Sequence, residues 1–369
     1  MIPFVDLQAQ YKSIKAEVDS AIARVLDNAS FILGREVEAF EDAFAEYTGT
    51  RFCVGVNSGT AAIQLAMMAC GLAAGDEVIV PANTFFASAE GISTASATPV
   101  FVDADPVSYN IDVTKIEAAL TERTRAIMPV HLYGQPADLD PIFEIAERRN
   151  LIVIEDAAQA HGSRYKGKRV GARGHAGCFS FYPGKNLGAY GEGGAVVTND
   201  EEVARRVRLL RDHGSERKYH HERVGYNFRL EGIQGAVLGV KLPYLDKWNG
   251  LRRKHAARYN ELLRGSNLTP PREMPYAEHI YHLYVVQTDA RDALQKSLNE
   301  AGVQTGIHYP IPIHLQLAYS SLGYKAGDFP EAERQANCVL SLPMFPELTD
   351  EQITRVAEIT HAVSNLSSQ

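Results

Sequence analysis

The sequence predicts an α/β protein built on a mostly parallel sheet, accompanied by a smaller α/β lobe. Two observations carry that expectation. Short apolar, β-branched runs alternate with helical patterns through the first two-thirds of the chain, whereas beyond about Leu230 a long helical stretch and a Pro-punctuated tail take over. A length of 369 residues also exceeds the usual single core, which leaves room for two lobes.

Seven runs read as strands: 52–56, 77–80, 99–103, 126–130, 151–155, 177–182 and 194–198. Helical patterns separate most of them, at 60–69, 112–120, 139–149 and 201–212. Runs apolar on both faces and spaced by helices indicate a seven-stranded sheet covered on both sides. Sheets of this kind bind ligands at the carboxyl ends of their strands. A helical region over 231–263, interrupted at Pro243, follows, then a Pro-containing loop at 267–275 and a strand at 280–287. A helix at 290–301, the turn-rich segment GIHYPIPIH and a closing helix at 349–363 complete the chain. The expected division is a large lobe of residues 1–245 and a small one of 246–369, closely packed because no Gly/Ser linker separates them.

Composition narrows the function. Hydrophobic residues make up 45% and charged residues 22%, as in an ordinary globular protein. Lysine and arginine number 37 against 45 acidic residues, a net charge of −8 that disfavours nucleic acid and anionic membranes as partners. The N-terminal MIPFVDLQAQ lacks the pattern of a signal peptide, and the longest mostly apolar stretch, 61–74, is too short to span a bilayer. Cys53, Cys70, Cys178 and Cys338 form no CxxC pair and read as reduced thiols. A cytoplasmic protein is expected.

Four segments fall at strand ends. In NSGTAA, Ser58 is a natural N-cap, and Gly59 and Thr60 would present free N–H groups to a phosphate at a helix start. In IEDAAQAHG, Asp156 emerges from a buried strand, where a lone carboxylate is costly unless paired, for instance with a protonated pyridine nitrogen or a metal. In FSFYPGKNLG, Lys185 sits among glycines after an apolar strand, where a desolvated amine can lose its proton and attack a carbonyl, while Ser180 could add a phosphate donor. In GYNFRL, Asn227 and Arg229 could serve a phosphate or a neighbouring subunit. His220 and His221 point to opposite sides of an extended chain with no carboxylate at ligand spacing, so no metal is expected. A phosphate cup, an acid for a ring nitrogen, a Schiff-base lysine and a flat apolar platform together describe pyridoxal phosphate.

The succession NSGTAA, PANTF, EDAAQAHG, FSFYPGKNLGAYGEGG and GYNFRL, with HYPIPIHLQ near the end, closely resembles the DegT/DnrJ/StrS sugar aminotransferases. The resemblance spans nearly the whole chain. It implies the aspartate-aminotransferase fold (fold type I), pyridoxal phosphate as cofactor with pyridoxamine phosphate as its other form, and amination of a nucleotide-linked keto-sugar. It also implies that Lys185 forms the Schiff base, Asp156 pairs with the pyridinium nitrogen and Gln159 contacts the ring hydroxyl. Phe85 would stack on the ring, and Gly59, Thr60 and Ser180 would hold the phosphate. Asn227 would reach the phosphate across the interface of a homodimer with shared active sites. L-Glutamate is the implied amino donor. Lysine rather than histidine at 185 disfavours the deoxygenating branch, and the HYPIPIH segment resembles members acting at C3 of a thymidine-diphosphate-linked 3-oxo-6-deoxyhexose. His308, Tyr309 and His314 would then line the sugar pocket. A 4-keto nucleotide sugar, a cyclitol ketone or a non-catalytic cofactor-binding regulator are the alternatives. Arg217, Lys218 and Arg229 are candidates for the nucleotide diphosphate.

Overall fold

The computed structural model describes residues 1–217 and 219–366. Its centre is a seven-stranded sheet of β1 (Phe52–Val56), β2 (Glu77–Pro81), β3 (Thr98–Val102), β4 (Thr124–Ile127), β5 (Ile152–Asp156), β6 (Ala176–Ser180) and β7 (Gly194–Thr198). The order across the sheet is β1-β7-β6-β5-β4-β2-β3. Neighbours are parallel except β7, which runs antiparallel to both β1 and β6. All seven expected runs are therefore strands of one sheet, with some ends shifted by a few residues. Residues of β2 and β7 are buried throughout, as strands covered on both faces require.

Helices supply that cover. They are α1 (Leu7–Asn28), α2 (Arg35–Thr48), α3 (Gly59–Ala69), α4 (Phe86–Thr94), α5 (Leu139–Arg149), α6 (Glu201–Arg211), α7 (Gly232–Lys241) and α8 (Leu245–Leu262). The sequence reading did not single out α1 and α2. In α1, Gln10, Ile14, Val18, Ala21 and Val25 form the buried stripe, and Asp6 caps the helix by accepting from the Ala9 N–H at 2.9 Å. The expected 112–120 helix is shorter. A 3-10 turn, Val113–Lys115, leads into one turn of helix, Ile116–Ala119, because Leu120 leaves in an extended conformation. Pro243 breaks the 231–263 region as expected: α7 ends at Lys241, and a 3-10 turn, Leu242–Tyr244, leads into α8.

The C-terminal part pairs β8 (Tyr284–Gln287) with β9 (Val339–Leu342) in antiparallel fashion. The helices α9 (Arg291–Glu300), α10 (Pro330–Cys338) and α11 (Asp350–Leu366) complete it. Its core joins Tyr259, Tyr284, Leu298 and Val356, and Ile2 from the opposite end of the chain packs into the same cluster. The expected strand at 280–287 begins only at Tyr284. Tyr281 holds a positive φ of 47°, and buried Arg252 binds the carbonyls of Tyr281 and His282, so the preceding residues form a pinned turn. Among the described residues no helix is long and apolar enough to cross a membrane.

One consequence of the strand directions positions everything below. The carboxyl ends of β1, β2, β5 and β6 and the amino end of β7 share one edge of the sheet. Consecutive residues of β5 point to opposite faces. Glu155 is fully buried on one side, accepting from the N–H groups of Gly171 (2.7 Å), Arg173 (2.9 Å) and Gly174 (2.7 Å). Its neighbour Asp156 is left for the other side.

Candidate active site

Along that edge lies a cavity of about 590 Å³, floored by the ends of β5 and β6 and roofed by residues from the C-terminal part. Lys185, Asp156 and Gln159 line it, with Gly59, Thr60 and Ser180 at one end and Phe85, His308 and Tyr309 along its walls. Nine residues singled out across 250 positions of sequence are thus brought together. A larger surface cleft, about 750 Å³, runs between α2 and the hairpin at 164–169, but most of its cations are already engaged. Lys166 and Arg173 both pair with Asp140, and Arg169 pairs with Asp246 at 2.8 Å.

Lys185 follows β6 through the turn Tyr182–Lys185, closed by the Lys185 N–H donating to the Tyr182 carbonyl at 2.9 Å. Among the described residues its amine makes no hydrogen bond or ion pair. Burial pushes its pKa down to about 8, against the opposing pull of the Asp156 charge. The amine therefore has an appreciable neutral, nucleophilic fraction near physiological pH, where an ordinary lysine has almost none. Two buried groups fix the loop: Lys241 Nζ donates to the Gly188 carbonyl at 2.5 Å, and Asn186 Nδ2 donates to Asn249 Oδ1 at 2.8 Å.

Asp156 ends β5 with 4% of its surface exposed. Its Oδ1 accepts from the Ala158 N–H at 3.1 Å and its Oδ2 from the Ser88 hydroxyl at 2.7 Å. Those two bonds aim the carboxylate and leave acceptor capacity facing the cavity. Ala158, also in the lining, leaves space for a flat ring, and Phe85 stands with 53% of its surface open.

At the other end, Ser58 caps α3 by accepting from the Ala61 N–H at 3.1 Å. The N–H groups of Gly59 and Thr60 have no acceptor among the described residues, as expected for the first turn of a helix. A Cβ on Gly59 would lie 2.6 Å from the Ser180 Cβ, and one on Gly194 would lie 2.3 Å from the Ser58 carbonyl oxygen. Only glycine permits this close approach, which sets Ser180 against the helix terminus. The result is a cradle of unpaired donors for an anion.

Gln159 accepts from the Tyr133 N–H at 2.7 Å and donates to the Tyr309 hydroxyl at 2.9 Å. Phe85 and Tyr309 face each other with ring centroids 5.4 Å apart. His308 lies 2.8 Å from the Ser341 hydroxyl and stacks on Phe4. Burial and the nearby Lys185 charge pull its pKa down to about 4, so its imidazole is neutral.

Three expectations fall elsewhere. His314 does not line the cavity. Its Nε2 sits 3.0 Å from Glu333, its ring packs edge-on against Phe329, and it is buried, so its place is in tertiary packing rather than the sugar pocket. Asn227 is exposed and is not among the residues lining this chain's own cavity, and a backbone bridge ties it to Asp212. Arg229 pairs with Asp212 at 2.7 Å, Arg217 is exposed, and Lys218 lies outside the described residues.

The model of the DegT/DnrJ/EryC1/StrS aminotransferase family matches residues 12–361. This chain belongs to that family. Among its relatives, the dTDP-3-amino-3,4,6-trideoxy-alpha-D-glucose transaminase of Streptomyces venezuelae is 49% identical over 97% of this chain and 94% of its own. A pleiotropic regulatory protein of Geobacillus stearothermophilus is also 49% identical, over 97% of each chain. The crystal structure of S. venezuelae DesV in complex with ketimine intermediate superposes with a TM-score of 0.96, at 48% identity and 98% coverage of both chains. The protein is an aminotransferase of the pyridoxal-phosphate class, with the fold the sequence led us to expect.

The cavity fits that cofactor on its own terms. The aminotransferase offers a buried amine of depressed pKa, an aimed carboxylate, a slot bounded by Ala158 and Phe85, and the donor cradle at Gly59, Thr60 and Ser180. Sequence reasoning missed several lining residues, among them Ser88, Tyr182, Glu192 and His282. Ser88 and His282 carry no local signal, since a serine inside a helix or a histidine before an apolar strand is commonplace. Tyr182 adjoins the lysine turn and could have been found from that proximity.

Proposed function

We propose that the aminotransferase moves the amino group of L-glutamate to C3 of a dTDP-linked 3-oxo-6-deoxyhexose, within the making of a deoxyamino sugar. The chain's 49% identity to a transaminase named for a dTDP-3-amino sugar carries this reading. In the same proposal it works in the cytoplasm as a homodimer, with residues 1–245 as the large lobe and 246–369 as the small one. The helix break at Pro243 and the separate core around Tyr259 and Tyr284 support the division. The dimer is supported by Asn227, exposed and outside this chain's own cavity lining, and by exposed Ile32, which bridges to Glu231, a few residues beyond Asn227.

In this reading Gly59, Thr60 and Ser180 bind the cofactor phosphate, and Asn227 of each subunit reaches the phosphate in the other. Asp156 keeps a proton on the ring nitrogen, oriented by Ser88 and the Ala158 N–H. Gln159 meets the ring hydroxyl, and Phe85 covers one face of the ring. When bound, pyridoxal phosphate supplies an electron sink that stabilises negative charge on the carbon bearing the transferred amine. Lys185 would hold the cofactor at rest, and its free amine would move a proton between the donor carbon and the cofactor carbon. Its value of about 8 suits it to both taking and giving that proton near neutral pH. His308 and Tyr309 bound the space left for the sugar.

Mass spectrometry of the product formed from a dTDP-linked 3-oxo-6-deoxyhexose and glutamate tests the reading. The 3-amino sugar nucleotide is expected. An inert 3-oxo substrate beside an efficiently aminated 4-oxo isomer would overturn the C3 assignment.

A further inference from the structure

The residue after the reactive lysine begins a hydrogen-bond chain that ends in the cavity. Asn249 Nδ2 donates to the backbone carbonyl of His161 at 2.8 Å. A carbonyl can only accept, so the amide nitrogen of Asn249 must face it and its Oδ1 must face Asn186. Asn186 in turn presents its Nδ2 to Asn249, at 2.8 Å, and its Oδ1 to His282, whose Nδ1 lies 3.1 Å away. His282 Nδ1 must therefore carry the proton. A peptide carbonyl two side chains away thus sets the tautomer of this histidine.

The consequence is at the other nitrogen. Nε2 of His282 is left as a lone-pair acceptor, it has no protein partner among the described residues, and it is not a buried unpartnered atom. The ring lines the same cavity as Lys185. The Nδ1 bond to Asn186 orients the ring, and the backbone that carries it is held by Arg252, which grips the carbonyls of Tyr281, His282 and Met344. Burial, with the Lys185 charge, holds the His282 pKa well below its ordinary value, so the ring stays neutral.

We propose that His282 Nε2 accepts a hydrogen bond from a ring hydroxyl of the keto-sugar, making His282 a substrate-binding residue with its acceptor direction fixed by Asn186 and Asn249. The inference rests on the sugar-nucleotide reading above. Glutamate carries no hydroxyl, and its one donor, the amine, is consumed in the transfer itself, so the contact belongs to the sugar half of the reaction. A residue that merely shaped the fold would affect both halves.

The test compares wild type with His282→Leu and His282→Gln as holoenzymes, the glutamine retaining an acceptor oxygen near the Nε2 position. Three quantities are measured: the rate at which glutamate bleaches the visible cofactor absorbance, KM for the dTDP-linked 3-oxo sugar, and the calorimetric Kd of the amino-sugar nucleotide product. In His282→Leu we expect KM and Kd to rise about tenfold, the loss of one hydrogen bond, with the glutamate rate within about twofold of wild type. His282→Gln should recover part of the affinity. Unchanged sugar KM and Kd in His282→Leu would overturn the proposal, as would a parallel fall in the glutamate rate or a His282→Gln enzyme no better than His282→Leu. A wild-type enzyme that is bleached by glutamate yet binds and aminates no sugar nucleotide would overturn both this proposal and the substrate reading beneath it.

Discussion

The hydroxyl of Ser88, in the first turns of α4, donates to Oδ2 of Asp156 across 2.7 Å, and Thr84 lies 2.9 Å from the same hydroxyl. The carboxylate at the cavity is thus aimed by the helix that follows β2, two strands across the sheet from its own β5. Ser88 is 1% exposed, so no water can replace it without rearrangement. Ser88→Ala should lower stability by roughly 1.5–3 kcal/mol, the range for a hydrogen bond to a charged group. It should also weaken cofactor retention, because Asp156 loses one of its two aiming contacts. Denaturant unfolding and cofactor absorbance after dialysis check both.

Asp156→Asn keeps the shape and removes the charge. The Asp156 charge raises the pKa of Lys185, so its loss should push the lysine further below its present value of about 8. Transamination should fall by about 10²–10³-fold, the usual loss when one electrostatic contact to the reacting system is removed. The pH dependence of chemical labelling of Lys185 in cofactor-free protein reads the first effect, and a single-turnover assay the second.

Lys185→Met should abolish transamination, while the cofactor-free protein becomes more stable. The amine titrates at 10.5 in water but at about 8 in the fold. Between those values the unfolded chain holds a proton that the folded chain does not, so wild-type stability rises with pH across that window. The gain from Lys185→Met should then be on the order of 1–3 kcal/mol near neutral pH and shrink from pH 8 towards 10.5. Unfolding both proteins across that range tests it. A variant that turns over keto-sugar at a near-normal rate would sink the role of Lys185.

His131→Ala should destabilise the fold by about 1.5–3 kcal/mol, because the buried charge of Glu155 would lose one hydrogen-bond donor and keep only its backbone N–H partners. The His131 Nδ1 accepts from the Ala137 N–H, so its Nε2 carries the proton that meets Glu155 at 2.9 Å. Burial alone would raise the Glu155 pKa, but His131 and the N–H groups of Gly171 and Gly174 outweigh it and hold it below 4.5. In wild type this contribution is present above the ordinary carboxylate value and is lost as pH falls through the lower folded one. The acid-unfolding midpoint should move to higher pH in His131→Ala, followed by circular dichroism.

Much of this was legible because the signals are local. The bounds of β1 and β7 match the sequence reading residue for residue, since fully buried strands are runs of apolar residues with clear polar edges. Lys185, Asp156, Ser180 and Gly59 each sit where a strand meets the loop or helix that follows it, so fold class alone predicts that they converge. Other parts depend on partners remote in sequence. His282 reaches the cavity only through Asn186 and Arg252, and Ser88 only through Asp156. His314 misled for the same reason in reverse. Its loop segment suggested function, yet Glu333, brought alongside by α10, draws the imidazole into packing.

The pairing of β1 with β7 sets a condition on how the protein is made. Phe52 lies opposite Thr198, and Val56 opposite Gly194, so the anion cradle has its two walls in widely separated stretches of the chain. The first wall, Ser58 to Thr60, leaves the ribosome long before its counterpart exists. Contacts of such long sequence separation form late in folding. On the proposed reading of the cradle, a nascent chain would have no place to load the cofactor until synthesis has passed β7, and the appearance of a cofactor absorbance would report that the large sheet has closed.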